Sequence, residues 1–298
     1  MSSANKKTKI YIFSILALGV LCAILRSISI LLFYDGDIGY YSVGAVLPII
    51  SDVIFWICVI AAAVIPFFLF SKTETVGTIN GAARYSALFP AVAFLLPMAE
   101  AIKALTLESK VSTVIILISS IASMIFFALL ALSNDSSSTL NILCGTGVIV
   151  WLAMVWLRSY NDFFTTINSP EKLFFHFSCV ATALIIVGEL KALCLEAKKR
   201  SCFAYLSVGI ITLFSFVFPD LLDRISGIST KSVSTLGETL VISAISVYAI
   251  ARAISLLPKE EATECAVTDG QAEKAPDESL EIESEQTLQD TSKEDQSE

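Results

Sequence analysis

The 298-residue sequence has one histidine, and its seven cysteines never fall at a Cys-x-x-Cys spacing. A single imidazole cannot build a histidine-rich metal site, and the cysteine spacing supports neither a zinc site nor a redox dithiol. His-Glu-x-x-His, the Walker phosphate loop, Gly-x-Gly-x-x-Gly and Gly-x-Ser-x-Gly are all missing. Those absences remove the usual signatures of metalloproteases, nucleotide hydrolases, dinucleotide enzymes and serine hydrolases. No nucleophile–base pair stands out, so an enzyme is the less favoured reading and no cofactor or metal is implied. Charge is scarce as well, at 16% against about 25% in soluble domains. The basic residues are too scattered to form a nucleic-acid surface.

Apolar residues take the place of charge. They make up 55% of the chain, and the mean hydropathy is +0.75. A helix needs about 20 apolar residues to cross a hydrocarbon core of about 30 Å. Runs of that kind lie at 10–33, 43–70, 85–105, 111–133, 139–158, 173–194, 201–219 and 238–257. The fold class is therefore all-α, a polytopic transmembrane bundle of about eight spans with a bilayer as its surroundings. The first run is too long for a signal peptide and lacks a small-x-small cleavage site. Gly19-Val20-Leu21-Cys22 has the bulky Leu21 just before the cysteine, which argues against a lipidation site, so a retained anchor is expected.

The charges divide the chain. Residues 260–298 hold 14 acidic and 2 basic residues, a net charge of −12, while 1–259 hold 14 acidic and 18 basic, a net charge of +4. After Pro258 no aromatic residue occurs, and so polar a stretch cannot bury enough area to offset chain entropy. Three regions are expected: a short basic N-terminus over 1–9, a membrane domain over 10–257 and a disordered acidic tail over 258–298. Lys6, Lys7 and Lys9, then Lys72 and Arg84, then Lys198, Lys199 and Arg200 fall on one side of the membrane. That bias puts both termini in the cytoplasm, and a bacterial inner membrane is the expected location.

Ionisable residues at membrane depth are costly, so they face protein or water and take partners. Asp52, about nine residues into the second span, and Arg26, about seven from the end of the first, are placed to pair. They are the leading candidates for a substrate or ion site, and a structural ion pair is the simpler alternative. Pro90 and Pro97 interrupt the third span. Pro97 has no N–H for the carbonyl of Ala93, which sets free oxygens near Glu100 and makes Pro97 and Glu100 candidates to line an ion path. A plain kink, with Glu100 paired to Lys103, would leave the same pattern. Glu189 and Arg252 sit at similar depth near the cytoplasmic ends of their spans, either paired or with Arg252 snorkelling to the interface. His176, within Phe174-Phe175-His176-Phe177, fits an aromatic belt better than a pH sensor.

Tyr34-Asp35-Gly36-Asp37-Ile38-Gly39-Tyr40-Tyr41 begins like a calcium loop, but the twelfth position from Asp35 is Val46 rather than Glu. A tight turn with interfacial tyrosines is expected there, with Tyr40 as a secondary ligand-contact candidate. Gly145-Thr146-Gly147 reads as a close-packing spot for a neighbouring helix. Lys103–Lys110 and Lys191–Lys198 echo one another across three spans, as an inverted repeat would. Together these features favour a transporter of a small solute or cation. The alternative is a non-transporting sensor or assembly subunit whose acidic tail binds a basic cytoplasmic protein.

Overall fold

The structure, a computed structural model, describes residues 3–76, 79, 81–107, 110–132, 139–163, 166, 169–194, 197–228 and 232–257. The expected acidic tail over 258–298 lies outside the described residues. The helices are α1 (Ser3–Phe33), α2 (Val46–Leu69), α3 (Ala82–Ser86), α4 (Leu88–Ala93), α5 (Leu95–Leu107), α6 (Val111–Leu132), α7 (Thr139–Tyr160), α8 (Pro170–Leu193), α9 (Lys199–Ser226) and α10 (Leu236–Ser255). A two-residue ladder, β1 (Tyr34–Asp35) against β2 (Tyr40–Tyr41), joins α1 to α2. Eight spans are long and apolar enough to cross a membrane, with α3, α4 and α5 making one of them. The all-α polytopic bundle is therefore the observed fold.

The helix breaks follow from local chemistry. Proline lacks the N–H that would reach back four residues, and its ring crowds that carbonyl. Four residues before Pro90 and Pro97 are Ser86 and Ala93, the last residues of α3 and α4. In α8, the Oγ of Ser169 accepts from the backbone N–H of Lys172 at 3.2 Å and Pro170 takes the first helical position, a favourable start for a helix. α10 opens with a reciprocal capping box between Thr235 and Glu238. α9 runs seven residues past the expected end at 219. Pro219 is accommodated inside it, and Arg224 bonds Asp220 one turn back at 2.8 Å. Gly227 then stops the helix in the left-handed region at φ 66°.

Two groups of four spans make the bundle. α1, α2 and α8 surround α9, while α6 and α10 flank the broken α3–α5 span and α7 packs on α6. The seam is α7 on α8 and α9 on α10. α9 is the most enclosed span, with 78% of its apolar window buried, and α2 the least, with 22%. α2 is therefore an outer helix of the bundle and α9 a core one. In the first group Tyr11 packs edge-on to Phe70 and Phe203 and donates to the Ser207 Oγ at 2.9 Å. In the second, Trp151 meets Phe94 edge-on at 5.0 Å and Phe127 meets Tyr248 at 5.7 Å.

Small residues set the helix spacing, as expected at Gly145 and Gly147. A methyl at Gly145 would fall 2.5 Å from a Leu190 carbon, and one at Gly147 would fall 2.6 Å from the Ala122 Cβ. The start of α1 and the end of α10 share one face, called the terminal face below. There Thr75 bridges Lys198, and Arg84 donates to the last carbonyls of α6, Ala131 O at 2.8 Å and Leu132 O at 2.6 Å. The described parts of the two echoing octads end helices at opposite faces. Any pair separated by an odd number of spans does the same.

Candidate functional site

On the face opposite the termini the ends of α5 and α7, the start of α6 and the loop before α10 enclose a cleft of about 880 Å³. That volume is within the range of small-molecule sites, roughly 300–1,000 Å³. Leu107, Ile116, Met154, Leu157 and Val233 supply its apolar walls. Its charged lining consists of Lys110, Arg158 and Asp162, among hydroxyls from Ser112, Thr113 and Ser159.

Arg158 is held from behind. Its guanidinium contacts the Glu238 carboxylate at 2.5 Å, and Glu238 is 2% exposed against 43% for Arg158. The other Glu238 oxygen accepts the Thr235 N–H at 3.0 Å. The carboxylate thus completes the helix cap and ties α10 to α7 in one group. Beside it, Asp220 accepts from Arg224 and from the Thr239 hydroxyl, each at 2.8 Å. Arg224 also donates to the Ser234 oxygens at 2.6 and 2.8 Å. The loop that forms one rim of the cleft is therefore fixed to the end of α9.

The expected Glu100–Lys103 pairing gives way to a longer-range contact. Glu100 Oε1 accepts the backbone N–H of Gly237 at 3.1 Å, in the first turn of α10, where a carboxylate is favoured by the helix dipole. A methyl at Gly237 would come within 3.0 Å of both Glu100 oxygens and of Pro97 N. Pro97 and Glu100 therefore dock α10 from behind the cleft and do not line it.

Arg26 and Asp52 are brought together in a separate cluster, 3.9 Å apart. α2 starts at Val46, so Asp52 is six residues in, or about 9 Å at 1.5 Å per residue, shallower than expected. Arg26 is buried with its guanidinium 3.3 Å from the Phe174 ring centroid, and its Nη2 donates to Pro170 O at 3.1 Å. Asp52 is half-exposed. Tyr41, rather than Tyr40, adjoins this pair. Its hydroxyl pKa is raised by burial, lowered by the Arg26 charge and raised again by Asp52 and Glu171. Tyr40 is exposed. Burial, then Glu171, pushes Tyr34 up in the same direction. Asp35 closes the turn itself, its Oδ1 accepting the N–H groups of Asp37 at 3.0 Å and Ile38 at 3.2 Å.

Near the terminal face, Glu189 and Arg252 form the second deep pair, at 2.9 Å with side chains 1% and 2% exposed. Arg252 does not snorkel, because the Glu189 carboxylate offers it a buried partner that an apolar wall would not. Tyr248 and Cys202 adjoin the pair. His176 packs 5.5 Å from the Trp156 ring within its aromatic surroundings. Among the described residues no group of three or more metal-ligating side chains gathers.

Arg158 and Glu238 carry no sequence signature as a site. Thr235-Leu236-Gly237-Glu238 has the spacing of a capping box and marks a helix start. Nothing in it names Arg158 as the partner. Comparison of the chain with protein-family models, with curated proteins and with solved structures finds no match to any.

Proposed function

We propose that this membrane protein moves a small solute across the bilayer, with the cleft between α5, α6, α7 and α10 as its entry site. The observation that carries the reading is a cavity of about 880 Å³ whose polar lining includes an arginine braced by a buried carboxylate. A bundle that only anchored a tail would have no need of either. The other end of α10 is closed by Glu189 and Arg252, so the same helix is tied at both faces. Within this reading Asp52, half-exposed beside Arg26, is the candidate coupling-ion carboxylate. Lys6, Lys7, Lys9 and the Lys198–Arg200 run support cytoplasmic termini within this reading, and the membrane proposed is a bacterial inner membrane.

The test is counterflow into liposomes holding the full-length purified protein, with labelled monocarboxylates, amino acids, sugars, nucleosides and monovalent cations. Flux of one class is expected, reduced by Met154→Trp, which puts an indole into the cleft wall, and abolished by Asp52→Asn at unchanged thermal stability. No flux from any class by folded protein would overturn the proposal. So would a cellular role that depends on residues 260–298 and not on Met154.

A further inference from the structure

The lining of the cleft identifies the kind of ligand it takes. Arg158 spends one edge on Glu238, and its remaining N–H donors have no other partner among the described residues. Ser159, the next residue, also lines the cleft. Its side chain is 2% exposed and its Oγ has no hydrogen-bond partner among the described residues. Buried hydroxyls are ordinarily hydrogen-bonded. The free edge of a guanidinium matches an oxyanion, which it binds through parallel N–H donors, and Ser159 is the next lining residue on the same helix.

Charge agrees with this. The carboxylates behind the wall are already engaged, Glu238 by Arg158 and Thr235 N, Glu100 by Gly237 N. Of the three charged side chains that line the cavity two are basic, Lys110 and Arg158. The third, Asp162, lies by Lys172, whose ammonium donates to the Asp162 carbonyl oxygen at 3.0 Å. The α6 N-terminus, at Val111, opens on the same space and adds a partial positive charge. Leu107, Ile116, Met154 and Leu157 line the same cleft, enough for an apolar body of several carbons.

We infer that the cleft binds a singly charged amphipathic oxyanion, its carboxylate or phosphodiester head on Arg158 and Ser159 and its hydrocarbon part on the apolar wall. The inference rests on the transport reading for its role and not for its binding. A free carboxylate and an anionic phospholipid share this chemistry.

Calorimetric titration of the full-length protein in neutral detergent, with hexanoate as probe and hexylamine and hexanol as controls, tests the assignment. Hexanoate is expected to bind at least about tenfold more tightly than either control, since one lost charge-assisted contact of about 1.5–3 kcal/mol corresponds to tenfold or more. Arg158→Gln alone strands Glu238 and risks misfolding. The charge-neutral pair Arg158→Gln with Glu238→Gln is the working variant, and it and Ser159→Ala should each weaken hexanoate. Competition by phosphatidylglycerol but not phosphatidylcholine assigns the site to lipid, and its absence assigns it to a soluble carboxylate. Preference for hexylamine, or unchanged affinity in the double variant and in Met154→Trp, overturns the inference. Hexanoate binding without counterflow would sink transport and keep the oxyanion site. Counterflow of an unrelated solute class without hexanoate binding would do the reverse.

Discussion

Removing the guanidinium of Arg252 leaves Glu189, 1% exposed, as a charge with no counter-ion inside the bundle. Breaking such a pair from one side costs about 3–5 kcal/mol, whereas replacing both partners by apolar side chains of similar volume is often neutral or stabilising. For a domain of this size each kcal/mol moves the unfolding midpoint by about 2–4 °C, so Arg252→Met should lower it by about 6–20 °C. Glu189→Met should do the same, because the arginine is then stranded beside Tyr248 and Cys202. The double variant should recover most of the loss, giving an interaction energy of several kcal/mol in the cycle. The assay is thermal unfolding of purified protein in neutral detergent, followed by tryptophan fluorescence. Two results would refute the reasoning: a single variant within about 1 kcal/mol of the parent, or a double variant as unstable as the sum of the singles.

Other perturbations probe the remaining contacts. Gly237→Ala forces a methyl against Glu100 and Pro97 and should cost about 1–3 kcal/mol; Glu100→Ala should cost about 0.5–2 kcal/mol as a lost cap, and the two should be less than additive in the same unfolding assay. At the Arg26–Asp52 pair the effects should be lopsided. Arg26→Ala loses a desolvated ring contact and a charged hydrogen bond, about 2–4 kcal/mol, while Asp52→Asn, half-exposed and 3.9 Å away, should cost under about 1 kcal/mol. Tyr34 and Tyr41 are held protonated in the fold beyond their ordinary range, near pH 10. Their contribution is fully present below that pH and is lost as pH rises through the raised values, so the fall in stability above about pH 10 should be shallower in Tyr34→Phe with Tyr41→Phe.

How much of this was legible in the sequence depends on the range of the interaction. Span number follows from apolar length, and the breaks at Ser86 and Ala93 follow from where Pro90 and Pro97 stand, because both are local consequences of backbone chemistry. α9 continues past the apolar run that ends at 219 for a related reason. A proline and two aspartates look like a stop, yet Asp220 and Arg224 are one turn apart and support the helix they seem to end. The sequence makes Glu100 a candidate lining residue with Lys103 as the alternative partner, and the structure gives it to Gly237, 137 residues away. Periodicity carries no information on contacts of that kind. Arg26 with Asp52 was inferred because their helices are consecutive and antiparallel. Arg158 with Glu238 was not, since α7 and α10 are separated by two spans.

The charges on α10 gain a common meaning from these contacts. Glu238 stands in its first turn and Arg252 in its last, each with the sign that the helix dipole favours. The two are 14 residues apart, about 21 Å along the axis. One reaches α7 and the other α8, which are consecutive helices. α10 is thus fastened at both faces to the same helical hairpin, but unequally. Arg158 is 43% exposed at the cleft, while the Glu189–Arg252 pair is sealed. Salt and ligand reach the first pair and not the second. The cleft end has other ties, Glu100 to Gly237 N and Asp220 to Thr239, so α10 stays docked there even where solvent screens the Arg158–Glu238 pair.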